Sequence, residues 1–94
     1  MKHECIGRVV TSKAGRDKGR TFLIVGLCDE NHVYLADGET RKLAAPKKKK
    51  LKHLRIEPVT ADAIAAKLNE GARVFDAEIR KYILSLGYNV KPEQ

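Results

Sequence analysis

Between Lys13 and Arg20 the chain reads Lys-Ala-Gly-Arg-Asp-Lys-Gly-Arg. Lys13, Arg16, Lys18 and Arg20 crowd one short segment with positive charge, and only Asp17 opposes them. Ammonium and guanidinium groups neutralise phosphate oxygens, and guanidinium can do so in bidentate pairs. Gly15 and Gly19 let the backbone approach an anion closely and present its N–H groups to it. A turn that only reversed the chain would not need four cations. A second one-signed stretch runs from Arg41 to Arg55, with eight cations and no acid. Arg41, Lys42, Lys47, Lys48, Lys49, Lys50 and Lys52 supply its candidate contacts, with His53 beside them. Lysines of this kind attract phosphates without reading sequence, although a lysine run is also the ordinary composition of a solvated loop. The chemistry on offer is the docking of a polyanion. The candidate binding residues are these eight together with Lys13, Gly15, Arg16, Lys18, Gly19 and Arg20.

The elements that must position these residues are short. Residues 5–11 and 21–27 flank the first basic segment and are rich in β-branched and apolar residues, which suits strands. His32-Val33-Tyr34-Leu35-Ala36 alternates as a third strand, and Asp37-Gly38 is a hairpin signal. A fourth strand is expected around Thr40–Leu43 and a fifth over Leu51–Glu57, ended by Pro58. Five short strands within 60 residues predict a closed, SH3-like barrel. The periodicity then changes. Thr60 is placed to cap a helix over 61–70, stopped by Gly71. Asp76 is placed to cap another over 77–86, with Ile79, Tyr82, Ile83 and Leu86 on one face. Tyr88 onward reads as a loose tail. The expected organisation is mainly β with α: a barrel over residues 1–58, then a two-helix extension over 59–94.

Charge follows the same division. Of 19 Lys/Arg and 12 Asp/Glu, 14 and 7 lie in residues 1–58, and 5 and 5 in residues 59–94, so the whole formal charge of +7 sits in the barrel. That asymmetry argues against the helix pair as a DNA reader, since its second helix sets only Arg80 and Lys81 against Asp76 and Glu78. Exposed aromatics for base stacking are scarce. Phe22 belongs to an apolar strand, which leaves Tyr34, so recognition of a polyanion's shape and backbone is favoured over single-strand stacking. No Ser/His/Asp arrangement or P-loop is present, so no catalytic residue is assigned and a non-enzyme is expected. Cys5 and Cys28 lack the close spacing of a metal site, so no metal or cofactor is implied, and both read as small buried apolar groups. No apolar run reaches the length of a membrane span, and the first residues lack a signal-peptide core. No membrane contact and a cytoplasmic protein are expected.

The stretch GRVVTSKAGRDKGRTFLIV, residues 7–25, resembles the KOW motif of ribosomal proteins and transcription elongation factors: a strand, a basic loop with a central glycine (Gly15), and a second apolar strand. Lys47 through Leu54 resembles the basic run and Leu-Lys-His-Leu segment of KOW proteins related to archaeal and eukaryotic large-subunit ribosomal proteins. The small bacterial RNA-binding relatives of these also carry a helical tail like Asp76–Lys81. Where such proteins often have Asn before that segment, this chain has Lys50. The resemblance implies an SH3-like barrel that binds structured RNA, ribosomal RNA first among candidates, as a ribosome component or assembly factor. The helical extension would then be free to meet ribosomal proteins, and the protein would be a monomer off the ribosome. A protein-binding module of the transcription type is the alternative.

Overall fold

Two strands are apolar on both faces. In β1 (Arg8–Ser12) and β2 (Thr21–Leu27), Val9, Val10, Phe22, Leu23 and Ile24 are all buried. A strand reads as a continuous apolar run when each face has its own cover. The computed structural model, which describes residues 5–90, supplies both covers. Ile6, Val10, Phe22, Ile24, Val33, Leu35 and Leu54 form an inner core, and Val9, Leu23, Ala36, Ala61, Ile64, Ile79 and Ile83 form an outer one beneath the helices.

The remaining strands are β3 (His32–Ala36), β4 (Lys47–Lys50) and β5 (Leu54–Thr60). All pairings are antiparallel, in the order β4-β3-β2-β1-β5. The two outermost strands are consecutive in the chain and are joined only by a 3-10 turn, Leu51–His53. Three residues cannot span an open five-stranded sheet, so the sheet rolls until its margins meet at that turn. The expected small β-rich fold with a C-terminal helix pair is thus what the chain adopts.

Some expected boundaries are displaced. Residues 40–43 are not a strand. Asp37 Oδ1 accepts the N–H groups of Glu39 and Arg41 at 2.9 and 2.8 Å, and Oδ2 accepts the Thr40 hydroxyl at 2.6 Å, winding the chain into a tight loop. The fourth strand is instead the lysine run, registered as Val33↔Lys49 and Tyr34↔Lys48. Lysine has little preference for strands, so tertiary pairing makes this one, at a sheet margin where lysine discourages further association. Pro58 does not end β5. It sits where the register with β1 shifts, on an outermost strand with no further ladder to feed. Cys28 is exposed beyond β2 rather than buried.

Helices α1 (Asp62–Glu70) and α2 (Asp76–Ser85) lie on the outer core. Neither expected cap forms. Ala61 precedes α1 without a side-chain cap, its N–H bonded to the Gly7 carbonyl at 2.9 Å. Asp76 is the first residue of α2, and its carboxylate instead accepts the Leu43 N–H at 2.7 Å. Each helix packs closely against a glycine next to a strand end. A Cβ on Gly7 would meet the Ala65 Cβ at 2.5 Å, and one on Gly38 would collide with the Asp76 carbonyl oxygen.

The chain beyond α2 is also held down, at Tyr88 and Asn89, while residues 91–94 of the expected tail lie outside the described residues. Asn89, at φ 56, accepts the Thr21 N–H (3.0 Å) and donates to the Thr21 carbonyl (2.8 Å). Tyr88 donates its hydroxyl to Glu57 Oε1 at 3.1 Å. Glu57 is 7% exposed, and its Oε2 also accepts from Thr11 and from Arg55 Nε, both at 2.8 Å. Arg55 holds the Glu57 carboxyl below its ordinary value. Burial opposes this, and Thr11 and Tyr88 reinforce it. The stabilisation is present above the ordinary carboxylate value and is lost as pH falls through the lowered one. Glu57→Gln should therefore cost about 1–3 kcal/mol at neutral pH and flatten the acid limb of a stability-versus-pH curve measured by urea unfolding.

Candidate nucleic-acid interface

The first basic segment is a loop closed at its base by backbone bonds. Ser12 N–H donates to the Arg20 carbonyl (2.9 Å) and Gly19 N–H to the Ser12 carbonyl (2.8 Å). Gly15 and Gly19 take φ values of +79 and +89, which side-chain-bearing residues adopt only at a cost. The loop's start is pinned to the 3-10 turn, where the Lys13 N–H donates to the His53 carbonyl at 2.8 Å. This brings the two basic stretches of the sequence together on one side of the rolled sheet.

The candidate cations divide by what they touch. Lys13, Arg16 and Lys18 are exposed and make no ion pair among the described residues, and Lys42, Lys48, Lys50 and Lys52 share that state. The others are engaged internally. Arg20 Nε binds the buried Asp37 at 2.7 Å, and its Nη2 reaches Glu39 at 3.2 Å. Lys47 Nζ lies 3.2 Å and Arg41 Nη2 3.7 Å from Asp17 Oδ2, the loop's own acid. That oxygen is buried and accepts no well-aligned hydrogen bond, so charge alone satisfies it. Lys49 Nζ donates to the Ala14 carbonyl at 2.9 Å, and a Cβ on Gly15 would sit 3.3 Å from the same nitrogen. Strand alternation explains the division. Lys47 and Lys49 turn toward the loop and fasten it, whereas Lys48 and Lys50 turn to solvent.

Two buried or half-buried groups tune the surroundings. Burial pushes the Asp37 carboxyl up, but bonds from Thr40, Arg41, Glu39 and Arg20 more than offset it, and the net shift is downward. Asp37 is therefore an anion at neutral pH and fixes Arg20 in place. His53 is half-buried. Desolvation, then the charges of Lys52, Lys49, Lys50 and Lys13, hold it below its ordinary value, so the ring is neutral at pH 7.

Residues that the sequence reading did not select also border the loop. Arg55, whose side chain is 65% exposed, lines a depression of about 300 Å3 with Lys13, Lys18 and Gly19. It ended the second basic stretch in the sequence, but its alternation gave no reason to place it beside the first. Asn89 lay in the supposed tail and carried no sequence signal.

This arrangement presents unpaired cations on a loop whose backbone is fixed from beneath by other cations. It can hold successive anionic groups. Among those residues, no helix is long and apolar enough to cross a membrane. No family model matches the chain. It is similar to a protein of Bacillus subtilis (strain 168) named "Putative ribosome-binding protein YbzG", with 32% identity over 69 residues, covering 73% of this chain and 93% of that protein.

Proposed function

This chain belongs to the family of YbzG, and from that premise we propose that it binds the ribosome by docking on ribosomal RNA through the Lys13–Arg20 loop. The observation that carries the reading is the separation of cations into fasteners and free groups. Arg20, Arg41, Lys47 and Lys49 hold the loop, while Lys13, Arg16 and Lys18 stay unpaired on its outside. A loop kept only for solubility has no need of a cationic scaffold beneath it. A fixed backbone lowers the ordering cost of each phosphate contact, which is the general benefit of preorganisation. The rolled sheet with its glycine-bearing loop fits an SH3-like barrel of the KOW type. Its role is binding without catalysis, in the cytoplasm, as a ribosome component or assembly factor. Lys48, Lys50 and Lys52 extend the contact to the margin strand, and His53 borders them.

The test is crosslinking in cells followed by sequencing of the attached RNA. The expected result is enrichment of one ribosomal RNA helix. Recovery of no ribosomal RNA above background would overturn the reading, as would a ribosome association that survives complete ribonuclease digestion, which is the result a protein-docking module predicts.

A further inference from the structure

Two depressions outside the loop's tip share a wall. One, of about 450 Å3, is lined by Arg16, Lys18 and Thr40 among others, and the second, of about 550 Å3, by Lys42, Arg80 and Leu84. Asn89 and Val90 border both. The two are therefore successive parts of one surface that leads from the basic loop to the exposed side of α2. Its charge is one-signed in effect. The two carboxylates among the described lining residues are already engaged, Asp17 by Lys47 and Arg41, and Glu39 by Arg20. Arg16, Lys18, Lys42 and Arg80 make no ion pair among the described residues. The wall between the halves is fixed, because Asn89 is clamped to both backbone groups of Thr21.

We propose that this surface is a track for a phosphodiester backbone, so that RNA held by the loop continues across Asn89–Val90 to Lys42 and Arg80. The inference rests on the RNA-binding reading and extends it to α2, a helix in a part of the chain with no net charge. Net charge hides the point. Glu78 is turned away to Lys67 at 2.8 Å and Asp76 to the Leu43 backbone, which leaves Arg80 facing the groove unpaired by either acid of its own helix. Spaced cations along a continuous groove track a backbone without reading bases. An acidic protein segment is the competing occupant. Unpaired cations joined to a loop of the same kind favour the nucleic acid, whose charge repeats at every residue.

The experiment compares Lys42→Gln/Arg80→Gln with Lys81→Gln. Lys81 is the exposed neighbour on the same helix and does not line the groove. Glutamine keeps the aliphatic stem, so folding is checked by thermal melts of each variant. Binding of ribosomal RNA extracted from Bacillus subtilis ribosomes is followed across salt concentrations. The double variant should lower the slope of log affinity against log salt by about 1.4–1.8, from roughly 0.7–0.9 per phosphate contact, and Lys81→Gln should leave it unchanged. A double variant with wild-type slope and affinity would overturn the track. Equal losses in the Lys81 variant would do so too, reducing the effect to a diffuse field. Tighter binding to ribosomal proteins than to the RNA would assign the groove to a protein. The Lys13/Arg16/Lys18→Ala variant, run in parallel, gauges the loop by itself. If it binds normally, the parent reading fails; if it alone loses binding, only the track fails.

Discussion

Gly38→Ala lowers the melting temperature by roughly 12–24 °C, whereas Gly19→Ala lowers it by only about 4–8 °C. Both glycines have positive φ, +76 and +89, so each substitution bears the cost of left-handed backbone for a residue with a Cβ, about 1 kcal/mol or slightly more. They differ in what surrounds them. A Cβ at Gly19 meets nothing within 4 Å. At Gly38 it would collide with the Asp76 carbonyl oxygen and would lie 2.9 Å from the Arg80 backbone nitrogen. These are backbone atoms in the first turns of α2 and cannot rotate away. The loop that follows β3 and the helix would have to part, at an overpacking cost of about 1–3 kcal/mol in addition. A total near 3 kcal/mol is a large share of the stability of a chain this size. Equal shifts for the two variants, read by circular dichroism on heating, would show that the helix does not bear on Gly38.

That close contact also marks the limit of what the sequence disclosed. The strands over Thr21–Leu27 and His32–Ala36 and both helices follow from local patterns of apolar and β-branched residues. The unbroken apolar runs in β1 and β2 carried a further message, that the sheet is covered on both faces, and the helices are the outer cover. The fourth strand was illegible because four lysines have no periodicity and poor strand preference. Only pairing with β3 makes them extended. Asp37-Gly38 reads as a hairpin by composition, yet its carboxylate is buried and binds an arginine 17 residues away. The candidate cations were all visible as cations. Their division into fasteners and free groups was not, because it depends on which side of β4 each lysine leaves and on where Asp17 comes to rest.

The same division yields the sharpest contrast between two sets of variants. Lys13/Arg16/Lys18→Ala should melt within a degree or two of the parent chain, since these side chains are exposed and hold no ion pair among the described residues. Its affinity for ribosomal RNA should fall about 100-fold near 0.15 M salt, because three lost contacts at roughly 0.7–0.9 in salt slope each amount to about two decades when extrapolated from 1 M. The slope itself should fall by about 2–3. Lys47→Ala/Lys49→Ala should behave in the opposite way. It removes the ion pair to the buried Asp17 oxygen and the bond to the Ala14 carbonyl, so the loop loses its fastening and the fold about 1–3 kcal/mol. Affinity should drop because the loop must be ordered again on binding, but the salt slope should stay near the parent value, since both ammonium groups are engaged with the loop itself. Thermal melts and salt titrations on the two variants check both halves. If the Lys47/Lys49 pair changes the slope and the Lys13/Arg16/Lys18 set changes the melting temperature, the roles are reversed, and the lysine strand rather than the loop is the face that meets the RNA.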